Sequence, residues 1–169
     1  ECPVPVLAAR SPSDCFWTTI EAFQIAVKYM TPVIVLADGY LGNSAEPWKV
    51  PKVDELPVLS VEHATDPEGF QPYSRNDDLA RPWAIPGTAG MAHRIGGLEK
   101  QHLTGAVSYD FQNHEFMVRL RAEKVAKVAE SIPDQTIFGA ESGDLLVVSW
   151  GSTYGTVHTA VDDAHNRGL

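Results

Sequence analysis

The amino-acid sequence predicts an α/β protein built from βαβ units with parallel sheets. From residue 4 to residue 37, an apolar strand pattern, an amphipathic helix pattern and a second strand pattern follow one another at the spacing of a βαβ unit. From residue 113 onward, a long helix pattern, an apolar run and a last helix pattern continue the alternation. A proline-rich stretch without regular periodicity separates these regions. We therefore expect two partial α/β domains joined by an extended connection.

Length and charge limit the classes of function. The chain has 169 residues and a formal net charge of −9, from 22 acidic and 13 basic residues. This balance gives no electrostatic basis for binding nucleic acid or an anionic membrane surface, so we expect neither partner. No apolar run approaches the ~20 residues that span a bilayer, and the N-terminus lacks a secretory signal pattern. We expect a cytoplasmic protein, and the strand-like start indicates a fragment of a longer chain.

The cysteine and histidine content argues against a metal centre held by this chain alone. Cys2 and Cys15 form no CxxC pair, so we expect neither an iron–sulfur cluster nor a structural zinc, and both cysteines should be buried thiols rather than a disulfide. The six histidines lack the spacing of metal ligands.

The first region carries the strongest βαβ signal. Residues 4–9 predict a short strand, and Ser11 followed by Pro12 predicts a helix start with the serine as N-cap. Pro32 ends the helix, and the apolar residues 33–37 predict a parallel strand covered on both faces. The expected buried stripe of the helix has 3.6-residue periodicity and comprises Phe16, Ile20, Phe23, Val27 and Met30.

Asp38, Gly39 and Tyr40 follow the second strand at its carboxyl end. Ligands gather at this end of the strands in open α/β sheets, so Asp38, Tyr40 and Asn43 are candidates for lining a cofactor cleft. Alternatively, Asp38 and Gly39 only form a turn, because both residue types favour turns. The residues themselves leave both interpretations open.

Residues 39–112 lose periodicity and contain seven prolines. So long a stretch is unusual for a simple loop and too rich in aromatic residues for disorder, so we expect an ordered connection that packs on a surface. Its segment 81–100, RPWAIPGTAGMAHRIGGLEK, places His93 and Arg94 before a glycine pair at 96–97. Arginine can bind a carboxylate through two parallel hydrogen bonds, and histidine can transfer protons near neutral pH. His93 and Arg94 are therefore the best candidate pair for a ligand site.

The last region predicts a helix over residues 113–132, a buried strand at 145–150 and a final helix at 154–165. The turn at 151–155, GSTYG, either holds an anion at the helix N-terminus or is simply a turn that needs glycines. It matches neither a P-loop nor a dinucleotide fingerprint. The residues expected to face inward are Val118, Ala122, Val125, Ala129 and Ile132 in the first helix and Val157, Ala160, Val161 and Ala164 in the second.

Several segments of the chain together resemble a known family. They are SPSDCFWTTIEAFQIAVKYMTPVIVLADGYL (11–41), EPWKVP (46–51), the loop at 81–100, TGAVSYD (104–110), MVRLRAEKVAKVA (117–129) and DLLVVSWGSTYG (144–155). They are similar to the α subunit of 2-oxoglutarate:ferredoxin oxidoreductase, also called the 2-oxoacid:acceptor oxidoreductase α chain. The similarity extends over essentially the whole length.

This resemblance implies an enzyme that oxidatively decarboxylates a 2-oxoacid, transfers the acyl group to coenzyme A and passes electrons to ferredoxin. It implies that thiamine diphosphate and Mg²⁺ bind at the interface with a β subunit, which also carries an iron–sulfur cluster. Residues 1–50 would be the end of the pyrimidine-side domain, 51–112 an interdomain connector and 113–169 the start of a transketolase C-terminal-like domain. The glutamate that activates the cofactor ring would lie upstream, so the isolated chain should be inactive and its catalytic residues are unassigned.

The resemblance also gives roles to the candidate residues. It implies that His93 and Arg94 face the substrate, whereas Asp38 and Tyr40 are cofactor candidates from their place at the end of the second strand. Two alternatives stay open: the substrate is pyruvate or a branched-chain 2-oxoacid, or the chain is a non-catalytic module that docks a partner subunit through residues such as Trp48 and Trp83.

Overall fold

The computed structural model describes residues 2–168. Its strands and helices are β1 Val6–Ala8, α1 Asp14–Tyr29, β2 Ile34–Leu36, α2 Gly39–Gly42, β3 His63–Ala64, β4 Trp83–Ala84, α3 Phe111–Lys127 and α4 Tyr154–Asn166. Short 3₁₀ helices lie at Val53–Glu55, Val128–Ser131 and Gly151–Thr153.

The described residues form two compact units. The connector unit comprises residues 2–5, 24–32 and 57–132, and the βαβ unit comprises residues 6–23, 33–56 and 133–168. The boundaries expected from the family resemblance, 1–50, 51–112 and 113–169, stay a prediction.

The βαβ unit contains a two-stranded parallel sheet. β1 and β2 pair with Leu7 opposite Val35, which confirms the predicted parallel pairing. α1 begins at Asp14, two residues after the predicted first helical residue Pro12, and the Ser11 hydroxyl accepts a hydrogen bond from the Asp14 N–H at 3.3 Å.

The expectation that the second strand is covered on both faces is wrong. Ile34 and Leu36 are each 47% exposed. Among residues 2–168, β2 pairs only with β1, and a sheet of two strands leaves its side chains open to solvent.

The apolar run at 145–150 is not a buried strand. It has no strand geometry, and Leu145, Leu146 and Val148 are 84%, 80% and 74% exposed. The physical reason is that a strand needs a neighbouring backbone for its hydrogen bonds, and no segment of the described chain pairs with this run.

The buried face of α1 differs from the predicted stripe. Thr18, Ala22, Ile25 and Tyr29 are buried, whereas Phe23 is 51% exposed. The observed set keeps helical spacing but is displaced by two residues.

The connector unit is organised around α3. The helix begins at Phe111, two residues before the predicted start, because the Asp110 carboxylate accepts the Asn113 N–H at 2.7 Å. Ala122 and Ala129 of the predicted stripe are exposed, and the buried positions are Met117, Leu120, Lys124 and Val128. Here the longer side chains cover the interior, including the aliphatic stem of a lysine.

The end of α1 is anchored within the connector unit. The Tyr29 hydroxyl lies 2.8 Å from Ser131 Oγ and 3.2 Å from the Lys127 carbonyl oxygen. Trp83 Nε1 donates to the Val27 carbonyl at 3.0 Å. These contacts hold the end of α1 against α3 and the irregular chain around Trp83, as an ordered connection requires.

The last helix agrees with its prediction. α4 extends from Tyr154 to Asn166, directly after the 3₁₀ turn at Gly151–Thr153. Val157, Val161 and Ala164 are half-buried as expected, whereas Ala160 is exposed.

Candidate functional site

The connector unit contains a solvent-open cavity of about 560 Å³. This volume lies within the range of small-molecule sites, roughly 300–1,000 Å³. Its walls come from three parts of the unit: the chain at 73–81, the glycine-rich loop at 96–100 and one face of α3. The lining residues are Cys2, Tyr73, Arg75, Arg81, Gly96, Gly97, Leu98, Glu99, Lys100, His114, Met117, Val118, Arg121 and Lys124.

The glycine-rich loop is held in place by Lys100, whose side chain is almost fully buried, with 2% exposed. Its ammonium group donates to the carbonyl oxygens of Gly96 and Leu98. The Lys100 carbonyl oxygen in turn accepts from the Asn113 side chain at 3.0 Å, which ties the loop to α3.

Glu99 joins the loop to α3 by charge. Its carboxylate accepts from both terminal nitrogens of Arg121, at 3.1 and 3.2 Å, and from His114 Nδ1 at 2.8 Å. Burial raises the pKa of Glu99, but the hydrogen bonds from Arg121 and His114 outweigh it and hold the pKa below its ordinary value.

Three further cations of the cavity have no carboxylate partner among residues 2–168: Arg75, Arg81 and Lys124. Arg75 donates to the Leu79 carbonyl at 2.8 Å, and Lys124 donates to the Met30 carbonyl at 3.1 Å. The guanidinium of Arg81 lies 4.4 Å from the centre of the Tyr73 ring, and that of Arg75 lies 5.9 Å from it. These contacts orient the cations without neutralising their charge.

The pKa values of Arg75 and Lys124 are both lowered. Burial and repulsion from Arg81 lower the pKa of Arg75 to about 10. Burial and repulsion from Arg75 and Arg81 lower the pKa of Lys124 to about 8. In both groups burial is the larger cause of the shift, and the neighbouring positive charges add to it.

The predicted pair His93 and Arg94 does not line this cavity. His93 is half-buried, its ring packs 5.5 Å from that of Phe70, and its Nδ1 lies 2.8 Å from the Met91 carbonyl oxygen. A carbonyl oxygen only accepts, so Nδ1 carries the proton and Nε2 is the free ring nitrogen. Arg94 is exposed, and within residues 2–168 its side chain has no hydrogen bond or ion pair.

The predicted residues Asp38 and Tyr40 lie in the βαβ unit. Asp38 caps the short helix α2 by accepting the Leu41 N–H at 3.0 Å, and it also accepts from the Ser152 hydroxyl. The bond from Ser152, followed by that from Leu41, lowers the pKa of Asp38. Tyr40 is 73% exposed at the carboxyl end of β2.

The Ser152 bond also bears on the turn at 151–155. A carboxylate already occupies the hydroxyl there, so free anions would meet negative charge at this helix start. The structure thus joins the turn to Asp38, a link that sequence spacing does not show.

Metal-ligand clusters and membrane-spanning helices are both absent from the described residues. No group of three or more His, Cys, Asp or Glu side chains within 2–168 is arranged to hold a metal ion. No helix in the part of the chain that the structure describes has the length and apolar character needed to cross a membrane.

Sequence reasoning missed the cationic cavity. Arg121 and Lys124 are three residues apart on α3, so they share a helix face with Met117 and Leu120. That mixture of cations and large apolar residues was the available signal, but charged helix residues usually face solvent. The nearness of Arg75 and Arg81 depends on the fold of an irregular segment and has no sequence pattern.

The parallel βαβ arrangement defines an α/β protein, and comparison with known proteins gives its family. The family described as pyruvate flavodoxin/ferredoxin oxidoreductase, thiamine diphosphate binding, matches residues 1–109. The match covers more than half of the 169 residues, and the chain belongs to this family.

Two individual relatives show which members of the family the chain is similar to. The chain is 48% identical to the 2-oxoglutarate oxidoreductase subunit KorA of Mycobacterium tuberculosis, over 99% of this chain and 26% of that protein. It is 28% identical to the ketoisovalerate oxidoreductase subunit VorB of Methanothermobacter marburgensis, over 97% of this chain and 39% of that protein.

A solved structure is similar as well. The 2-oxoglutarate:ferredoxin oxidoreductase from Magnetococcus marinus, with 2-oxoglutarate, coenzyme A and succinyl-CoA bound, matches with a TM-score of 0.89 and 32% identity. The match covers 99% of this chain and 29% of that chain. The chain therefore spans about a quarter to two fifths of the length of these relatives.

Proposed function

We propose that this chain is part of the α subunit of a thiamine-diphosphate-dependent 2-oxoacid:ferredoxin oxidoreductase that uses 2-oxoglutarate. The single observation that carries the proposal is the 48% identity to a 2-oxoglutarate oxidoreductase subunit over 99% of the chain. The reaction is the oxidative decarboxylation of 2-oxoglutarate to succinyl-CoA, with electrons passed to ferredoxin. We place this complex in the cytoplasm.

The cofactor side of the proposal concerns Asp38 and Tyr40. Thiamine diphosphate, when bound, supplies the nucleophilic ring carbon for decarboxylation of the 2-oxoacid. An exposed tyrosine at the carboxyl end of a parallel strand fits contact with a flat heterocycle. Asp38 holds the α2 turn that presents Tyr40, through its bond from the Leu41 N–H.

The substrate side concerns His93 and Arg94. Arg94 is exposed and free to bind a carboxylate of the substrate through two parallel hydrogen bonds. The contact of His93 with the Met91 carbonyl fixes its tautomer and leaves Nε2 able to accept a proton.

The remaining parts of the reaction belong to partners in this proposal. Cys2 and Cys15 are free thiols, but Cys2 is exposed and Cys15 half-buried, so the expectation that both are buried is wrong. Two cysteines are too few to hold an iron–sulfur cluster. A β subunit would supply the cluster and the Mg²⁺ and diphosphate contacts. Ferredoxin would be the electron acceptor.

The test is acceptor reduction by the full-length α subunit produced together with its β subunit. Coenzyme A is present throughout, and 2-oxoglutarate, pyruvate and 3-methyl-2-oxobutanoate are supplied in parallel. We expect reduction with 2-oxoglutarate to be at least about tenfold faster than with either monocarboxylate. A preference for 3-methyl-2-oxobutanoate would favour the branched-chain interpretation, which the similarity to the ketoisovalerate enzyme supports.

A variant tests the role of Arg94. Arg94→Ala should lower kcat/KM for 2-oxoglutarate about ten- to a hundredfold, the usual effect of losing a charged hydrogen bond. Arg119→Ala is the matched control, because Arg119 is also exposed and, among residues 2–168, pairs only with Glu115 at 2.6 Å. Equal kcat/KM values for the two variants would remove Arg94 from the substrate site. A stable complex without activity on any 2-oxoacid would favour the docking interpretation, in which the 42% exposed Trp48 is the contact residue to test.

A further inference from the structure

The cavity of the connector unit carries more positive charge than its own residues neutralise. Five of its lining side chains are lysine or arginine, and Glu99 is its one carboxylate among the described residues. Glu99 is fully engaged by Arg121 and His114. The excess contrasts with the formal net charge of −9 of the whole chain.

Some N–H groups of these cations have no strong hydrogen-bond acceptor among residues 2–168. Arg75 Nε is buried and has no partner among residues 2–168. The Arg81 side chain makes only a long contact of 3.4 Å to the Pro72 carbonyl. A buried donor without an acceptor destabilises the folded chain, so such an arrangement favours a bound acceptor.

The cations are oriented in advance rather than left mobile. The Tyr73 ring lies against both Arg81 and Arg75. The Tyr73 N–H donates to the Leu103 carbonyl at 3.0 Å, which fixes the base of that ring. Preorganised donors reduce the entropy lost when a ligand binds.

The other walls indicate the size and character of the ligand. Leu98, Met117 and Val118 add apolar surface, which suits a ligand with a short carbon body. A compact anion without carbon would contact the cations alone. Guanidinium groups match the geometry of carboxylate and phosphate oxygens. Two unpaired arginines and an unpaired lysine match an anion of at least two charges better than a monoanion.

We propose that this cavity binds a small dianionic oxyanion, a dicarboxylate or a phosphate, between Arg75, Arg81 and Lys124. The site does not depend on the oxidoreductase activity proposed above, because its ligand set lies wholly within the connector unit. Binding is therefore measurable without turnover.

The experiment is calorimetric titration of the full-length α subunit at neutral pH and constant ionic strength. The probes are succinate, inorganic phosphate and acetate. We expect saturable one-to-one binding of at least one dianion, with a Kd at least about tenfold below that of acetate. A preference for succinate identifies a dicarboxylate site, and a preference for phosphate identifies a phosphorylated ligand. Either preference supports the proposal, whereas no saturable dianion binding, or equal affinity for acetate, would overturn it.

Variants localise the binding. Arg75→Met and Lys124→Met should each raise the Kd about ten- to a hundredfold, as expected for a lost charge-assisted hydrogen bond. Arg75→Lys keeps the charge but loses the two-pronged geometry, so its Kd should be intermediate. Each variant is first checked for a native circular-dichroism spectrum.

Control variants separate the site from general surface charge. Lys127→Met removes a cation one turn from Lys124 that pairs with Glu130 at 3.8 Å and does not line the cavity. Arg119→Gln removes an exposed arginine of the same helix. Both should leave the Kd unchanged, and a similar loss of affinity in the controls would show binding elsewhere and refute the site.

Discussion

Lys100 in the segment 96–100 is buried although it is charged, whereas the segment 145–150 is exposed although it is apolar. In the first segment, GGLEK, residues 96–98 are exposed, yet the charged Lys100 is only 2% exposed and donates to the backbone of its own loop. The second, LLVVSW, is almost entirely apolar, yet Leu146 is 80% and Trp150 73% exposed.

The difference shows that burial depends on what a segment can pack and bond against. The glycine-rich loop lies beside α3, where Asn113 and Arg121 bind its backbone and its carboxylate. The apolar run has no strand partner within residues 2–168. Hydropathy therefore indicates what a segment would do beside a suitable neighbour, and the fold decides whether that neighbour is present.

The strongest test of this comparison is a pair of truncations, one in each unit. Tyr29→Ala removes a side chain that is 1% exposed and bonded to Ser131, so it should lower the free energy of unfolding by about 3–5 kcal/mol. Leu146→Ala should change it by less than about 0.5 kcal/mol, because little buried area is lost. Urea denaturation gives both values.

Tyr29→Phe separates packing from hydrogen bonding. It keeps the ring and loses only the hydroxyl contacts, so a loss of about 1 kcal/mol is expected. The comparison fails if Leu146→Ala costs as much as Tyr29→Ala.

A smaller effect is expected at the glycines of the connector unit. Gly105 has φ +70°, and a Cβ there would lie 2.9 Å from both Pro72 Cγ and Tyr73 Cδ2. Gly105→Ala should destabilise the chain by about 2–4 kcal/mol, from overpacking and left-handed backbone strain together. It should also weaken dianion binding, since the displaced Tyr73 ring orients Arg75 and Arg81.

Gly69→Ala is the matched control for backbone strain. Gly69 has φ +73°, but no atom lies within 4 Å of an added Cβ. Its cost should be only about 1 kcal/mol, and dianion binding should be unchanged. Thermal unfolding and calorimetric titration of both variants measure the two effects, and equal costs would show that the close approach at Gly105 is unimportant.

These contrasts also explain which parts of the fold the sequence could predict. Local signals succeeded: Ser11 at the start of α1, Pro32 after its end, and the strand–helix–strand order are encoded within a few residues. Which face of each helix is buried was harder to predict. On α3 the larger Met117 and Leu120 are buried in place of the predicted alanines, and periodicity alone does not say which of two apolar stripes is covered.

The candidate site could be predicted only in part. His93, Arg94, Asp38 and Tyr40 follow from motifs and strand ends, and their roles stay predictions. The cationic cavity depends on the chain around Tyr73 meeting the middle of α3, and no local pattern records that approach. Contacts of that kind are fixed by the path of the irregular chain.

A further expected effect concerns the charge on the buried Lys124. The charged and titratable groups that act on it are Arg75, Arg81, Cys2 and Arg121. Burial is the largest cause of its shift, and its pKa is about 8 in the folded chain against the ordinary 10.5 in the unfolded chain. Between these values the unfolded chain holds more protons, so this group makes the free energy of unfolding rise as pH increases from about 8 to 10.5. After allowance for solvent screening, the rise should be about 1–2 kcal/mol.

Two lysine variants on the same helix isolate this pH dependence. Lys124→Met should remove the rise, whereas Lys127→Met should keep it, and urea denaturation at either end of the range from about 8 to 10.5 measures both. A bound dianion favours the charged lysine, so saturating succinate or phosphate should raise the Lys124 pKa and flatten the same pH dependence. An unchanged slope in Lys124→Met would mean that Lys124 is not the group that senses the crowded charge of the cavity.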